Sequence, residues 1–295
     1  MSKTLRVALG ATAALAGFAL LYRHVLVKLV HDWGNDDNYS HGFLIVPIAL
    51  YFAWERRQRL QELPLRPTVL GWFVVAASLV VLATGLLGAE LFLTRISILG
   101  VLTGAILFTG GWQHLRVLTF PVAFLLLMIP IPAIIFNQIA FPLQLLASRV
   151  GETTMSALDI PVLREGNVIV LANITLEVAE ACSGIRSLIS LLTLGIVFGY
   201  FVDPRISMRT AIALSTIPIA VLANALRVAG TGIAAHYYGT AAAEGFLHDF
   251  SGWLVFVVSF TLLFGAQKLL ARLFPLRPQP QPPTPKPPVV QEVSA

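Results

Sequence analysis

The chain has 295 residues, 57% of them hydrophobic and 12% charged, with a mean hydropathy of +0.80 and a formal net charge of +5. Soluble domains carry about 25% charged residues, so this composition excludes an ordinary soluble protein and indicates a polytopic membrane protein. A single cysteine excludes an intrachain disulfide and a multi-cysteine zinc site, and the basic residues flank apolar runs rather than forming a nucleic-acid patch.

Lys3 and Arg6 precede an apolar run from Val7 to Tyr22, which is expected to extend towards Val30 with Arg23, His24 and Lys28 snorkelling. The cleavage-like Ala14-Leu15-Ala16 falls inside that run rather than after it, which favours an uncleaved first span. A polar loop, His31–His41, follows. Gly42–Trp54 is apolar but short for a ~30 Å hydrocarbon core, so it begins nearer Tyr39 or is shielded by other helices. Val69–Gly88 and Ile96–Trp112 read as full spans. Val117–Phe136 carries Pro121, Pro130 and Pro132 and is expected to kink or break near its end. Phe141–Val150 is short enough to lie along the interface.

Gly151–Ala181 is the longest stretch between spans that does not itself span. Val168–Leu171 and Ile174–Val178 read there as two strands joined by Ala172-Asn173. Ser183–Phe201, Ala211–Ala229 and Phe250–Gln267 read as three more spans, with Gly230–Asp249 as a loop holding His236, Glu244, His248 and Asp249. Pro275–Ala295 has eight prolines in 21 residues and reads as a disordered tail. The expected architecture is an all-α polytopic membrane protein of about eight transmembrane helices with a small extracytoplasmic β-hairpin. Residues 1–274 form its membrane domain and residues 275–295 its proline-rich cytoplasmic tail. A cytoplasmic N-terminus places 13 Lys and Arg residues inside and 7 outside, which accounts for all 20 and satisfies the positive-inside rule.

This topology brings several polar side chains to the outer side. Cys182 opens the sixth span, where free helix N–H groups and the positive dipole end favour a thiolate. Asn224 and Arg227, three residues apart, share a face near the outer end of the seventh. His248 stands just before the eighth. Each has a plainer reading: a buried apolar cysteine, interhelical glue, a snorkelling arginine, a solvated histidine. Together they suit acyl transfer, with Cys182 as nucleophile, Arg227 holding the thiolate and the developing oxyanion, and His248 either transferring protons or stabilising the transition state. Arg186, one turn after Cys182, and His41, on the same outer side, are secondary candidates. His31, Asp32, Asp36 and Asp37 lack a metal-ligand spacing and read as a solvated loop; no metal or cofactor is expected.

Glu180-Ala181-Cys182-Ser183-Gly184-Ile185-Arg186-Ser187-Leu188, Asn224-Ala225-Leu226-Arg227, and His248 with Gly252 resemble the exosortase/archaeosortase family. Tyr39-Ser40-His41-Gly42-Phe43-Leu44 is similar to its N-terminal region. The resemblance covers roughly Tyr39 to Leu270. It implies a polytopic thiol transpeptidase of the bacterial inner membrane with its active site facing the periplasm. It also implies exported protein substrates bearing a Pro-Glu-Pro C-terminal sorting signal, a transmembrane helix and a basic tail, together with contact with membrane lipids and a link to extracellular polysaccharide systems. By the resemblance Cys182 forms the acyl-thioester, with Arg227 and His248 as partners. A transporter, or a non-catalytic subunit of a polysaccharide export assembly, is the competing reading.

Overall fold

The computed structural model describes residues 3–172, 175–178, 185–239 and 246–275. It is mainly helical, with one small antiparallel sheet. The first six helices are α1 (Lys3–Leu21), α2 (Arg23–Asn35), α3 (Gly42–Glu55), α4 (Arg57–Glu62), α5 (Leu70–Leu87) and α6 (Leu91–Thr109). Then come α7 (Trp112–Phe124), running into a 3-10 turn over Leu125–Met128, and α8 (Ala133–Ser156). Strands β1 (Val162–Glu165), β2 (Val168–Leu171) and β3 (Thr175–Glu177) precede α9 (Ile185–Val202), α10 (Ile206–Tyr238) and α11 (Phe246–Leu273).

These helices carry large apolar side chains outward: Leu87 is 89% exposed, and Leu20 and Ile134 are each 75% exposed. Such a surface suits lipid, where only internally hydrogen-bonded backbone is tolerated. Close packing comes from small residues rather than from an amphipathic stripe. In the α5–α6 pair, a Cβ on Gly71 would sit 2.3 Å from the Phe108 nitrogen, and one on Gly104 would sit 2.8 Å from the Gly71 oxygen. Among the described residues six helices are long and apolar enough to cross a membrane, or seven if α1 and α2 count as one bent span. The expected number of eight is not reached on this measure, because Gly42–Glu55 and Trp112–Met128 are short.

Several boundaries differ from the sequence expectation. The first apolar run is not one straight helix: the chain bends by 66° at Tyr22. Tyr22 is fully buried there and its hydroxyl is 3.0 Å from Ser97 Oγ. The Val117–Phe136 run breaks as its prolines require, but residues 133–136 belong to the next helix. That helix, α8, has 24 residues and so extends well beyond Phe141–Val150. Both its ends are tied to one end of the bundle. Ile131, just before it, accepts a hydrogen bond from Tyr39, while Gly151 and Met155 lie against Val228 and Gly232 of α10. By length and hydropathy α8 is itself one of the six candidate spans, so the short interfacial segment expected at Phe141–Val150 is part of a longer apolar helix.

The hairpin is a three-stranded sheet in the order β1-β2-β3. Val168 pairs with Glu177 and Val170 with Thr175, as the two-strand reading requires. Strand β1 went unread because Val162-Leu163-Arg164-Glu165 is half polar. Gly166, at a φ of +65°, turns it into β2. Ile169, Leu171 and Val178 are buried against Ala147, Met155, Val228 and Ala235, so the sheet docks on α8 and α10. Residues 230–238 and 246–249, expected as loop, are helical, so α10 reaches 33 residues and His248 stands inside the first turn of α11.

Candidate functional site

The site begins at the break after α7. Pro130 and Pro132 have no N–H, and the last carbonyls of the helical segment have no partners within it. Side chains from the end of α2 and from the α2–α3 connection satisfy three carbonyls there. Trp33 Nε1 donates to the Met128 oxygen at 2.9 Å, the Tyr39 hydroxyl to the Ile131 oxygen at 3.5 Å, and His41 Nε2 to the Leu127 oxygen at 3.3 Å. A carbonyl only accepts, so that bond places the imidazole proton on Nε2 and leaves the Nδ1 lone pair. His41 Nδ1 is buried without a hydrogen-bond partner. Burial pushes the His41 pKa below the usual histidine range, against a smaller opposing effect of the Leu127 carbonyl. The imidazole is therefore neutral at pH 7, with its basic nitrogen enclosed.

Gly42 is fixed by this arrangement. A Cβ there would stand 2.4 Å from Trp33 Nε1. The Tyr39-Ser40-His41-Gly42 sequence thus combines two donors to the break with the close approach that lets Trp33 reach it.

Arg186, in the first turn of α9, reaches the same loop. Its Nη1 is 3.2 Å from Asp37 Oδ2 and its Nε 3.4 Å from Asn38 Oδ1. The Asp37 side chain is 78% exposed, so this pair orients more than it stabilises. Asp32 does not join a solvated loop: it pairs with Lys28 and with Arg95, whose side chain is almost fully buried. No group of three or more metal-ligating side chains occurs among the described residues.

Asn224 and Arg227 lie on α10, Asn224 buried and Arg227 half-buried. Arg227 Nη2 lies 3.8 Å from the position of a Cβ on Gly252, so its guanidinium rests against α11 where that helix has no side chain. Position 248 is one turn earlier on the same face, and Phe256 one turn later. The His248 side chain lies outside the described part of the chain. Cys182 also lies outside the described residues, three positions before the start of α9.

A cavity of ≈ 330 Å³ lies between α3, α9 and α11. His41, Leu44 and Ile48 line it from α3 and the residues just before it. Ser190, Thr193, Leu194 and Val197 line it from α9, and Phe256 from α11. Each wall continues a face already singled out. Ser190 is one turn after Arg186, and Phe256 is two turns after position 248. Hence His41, Arg186, Arg227 and the 248 face converge from four elements on one end of the bundle. Ser190, Thr193 and Phe256 were not anticipated. Hydroxyls inside a largely apolar span were the available signal for the first two, and Phe256 gave none.

A family model described as transmembrane exosortase matches residues 33–265. No curated protein and no solved structure matches the chain. The matched span includes every candidate residue, from His41 to His248, and stops before the end of α11. With its apolar helix bundle and small sheet, the chain belongs to the transmembrane exosortase family, whose members are multi-pass membrane proteins with a transpeptidase-like role in protein sorting.

Proposed function

We propose that the protein is a cysteine transpeptidase that cleaves Pro-Glu-Pro C-terminal sorting signals of exported proteins at the outer face of the bacterial inner membrane. The observation that carries this reading is the cavity that His41, α9 and Phe256 line together, with Arg227 resting against α11 at Gly252, one turn before Phe256. Three residues span at most about 11 Å, which tethers Cys182 to the start of α9.

In this reading the Cys182 thiolate attacks the carbonyl carbon of the scissile peptide. A C–S bond forms, and the C–N bond breaks as the departing amine takes a proton from His248. Arg227 pairs with the thiolate and then with the carbonyl oxygen as it gains charge. Arginine stays protonated, so proton transfer falls to a histidine. A nucleophile bearing a proton, whether amine, lipid hydroxyl or water, then attacks the thioester carbon. Its proton passes to His248 and the thiolate leaves. Asn224 holds the α10 face on which Arg227 stands, Arg186 holds the α2–α3 loop, and His41 is the second histidine at the cavity.

The periplasmic placement is supported by the grouping of charges. Lys28, Asp32, Asp37, Arg95 and Arg186 pair at the end holding the cavity's polar lip. Glu55, Tyr200, Asp203 and Arg205 pair at the other, where the basic residues assigned to the cytoplasm dominate. Residues 1–274 form the catalytic domain in this reading, and residues 275–295 are a cytoplasmic tail dispensable for chemistry. The test is substrate processing and enzyme abundance measured in the same cells. Cys182→Ala should accumulate normally and leave the substrate uncleaved. Normal processing by that variant would end the thiol mechanism.

A further inference from the structure

A second cavity, of ≈ 280 Å³, lies away from the candidate site, between α2 and the α5–α6 turn. His24, Lys28, Leu86, Glu90, Leu91 and Arg95 line it. Arg95 is only 2% exposed although it stands on an apolar helix that qualifies as a membrane span. An arginine so placed is costly unless it is paired, and it marks a site by default. Its pairing here is incomplete. Nη2 donates to Asp32, but Nε has no hydrogen-bond partner. Asp32 is shared, because Lys28 Nζ lies 2.8 Å from its other oxygen. Two fixed cations thus face one carboxylate. The second nearby carboxylate, Glu90, is engaged by the α6 N-terminus, accepting from the Phe92 and Leu93 nitrogens at 2.8 and 3.1 Å.

Apart from His24 and Thr94, the rest of the cavity is apolar, and it opens outward. Leu86 is 57% and Leu91 45% exposed, and Leu87, beside the mouth, is 89% exposed. A ligand matching these walls has an anionic oxygen group at one end and a hydrocarbon chain at the other. We propose that this cavity binds a phospholipid, its phosphate against Lys28 and Arg95 and its first acyl methylenes against Leu86 and Leu91. A phosphate supplies acceptors for Arg95 donors that Asp32 leaves over, and Lys28 adds a charge at the rim. The site is independent of the transpeptidase reading.

Binding of three probes to the detergent-purified full chain tests the proposal. Dihexanoyl phosphatidylglycerol carries phosphate and chains, inorganic phosphate carries no chains, and dihexanoylglycerol carries no phosphate. The first should bind saturably and the other two at least about tenfold more weakly. Lys28→Ala, at a half-exposed position, should weaken phosphatidylglycerol about tenfold. Leu86→Trp should weaken it comparably by filling the apolar half, and Lys28→Ala leaves Asp32 paired with Arg95. Arg95→Gln should abolish binding where the variant folds. Equal binding of inorganic phosphate would replace the lipid site by an ion site. Equal binding of dihexanoylglycerol, or phosphatidylglycerol affinity unchanged in both Lys28→Ala and Leu86→Trp, would overturn the proposal.

Discussion

Gly42→Ala should be costly out of proportion to its size. The added Cβ would lie 2.4 Å from Trp33 Nε1, 2.5 Å from Cε2 and 2.6 Å from Cδ1. Ordinary carbon contacts start near ~3.5 Å, so the indole must retreat by about 1 Å. It has little room to do so. Trp33 is 7% exposed and packs edge-on against Phe43 at 5.4 Å. Retreat breaks the 2.9 Å bond to the Met128 carbonyl, leaving a buried donor and acceptor unpaired. Overpacking costs about 1–3 kcal/mol and the unmet pair about 1–3 kcal/mol, so the sum is roughly 2–6 kcal/mol. The assay is a double-mutant cycle with Trp33→Phe, followed by unfolding of the detergent-solubilised protein. The smaller ring gives up Nε1 and relieves the clash, so the two changes together should cost less than their sum by at least ~1 kcal/mol. Gly42→Ala within ~0.5 kcal/mol of wild type, or additive costs in the cycle, would refute the account of why glycine stands there.

At Gly252 a Cβ makes only ordinary contact with Arg227 at 3.8 Å. Gly252→Ala should therefore process substrate nearly normally, while Gly252→Leu should fill the space of the guanidinium and lose most processing at normal abundance; equal activity of the two would remove Arg227 from the site. For His41, burial lowers the folded-state pKa, so the unfolded chain binds the proton first on acidification. Stability should then fall as the pH drops from about 6.5 through the folded pKa, and His41→Asn should lack that component. Thermal unfolding of both proteins between pH 7.5 and 5 measures the difference, and parallel curves would count against a neutral His41.

Composition and periodicity made much of this fold legible, because each span had only to look apolar to be found. Span ends were harder. The α10 helix continues past Ala229 through Gly230, Thr231 and Gly232, a stretch that reads as loop by propensity. Packing overrides it: a Cβ on Gly232 would sit 2.5 Å from the Met155 sulfur, so the glycine serves the contact with α8. The bend at Tyr22 was invisible for the converse reason. Nothing in the local sequence breaks the helix, and the hydroxyl that anchors the turn finds its partner, Ser97, on α6.

The candidate site divides along the same line. Motif spacing placed Asn224 with Arg227, and one helical repeat places position 248 with Gly252 and Phe256, since both relations lie within a single helix. His41 was assigned to the same end as the other candidates, but its standing came from elsewhere. A histidine near a span is unremarkable until its Nε2 is committed to a carbonyl that Pro130 and Pro132 help to leave unpaired, and its Nδ1 is closed off from water. Those prolines were read as a break in a helix. The break also supplies acceptors, and the acceptors decide which imidazole nitrogen keeps its lone pair. That link joins two elements far apart in sequence, and local pattern does not report pairing between helices. A site assembled from span ends is therefore legible as a set of residues before it is legible as chemistry, because the protonation of its bases depends on which helix end each one faces.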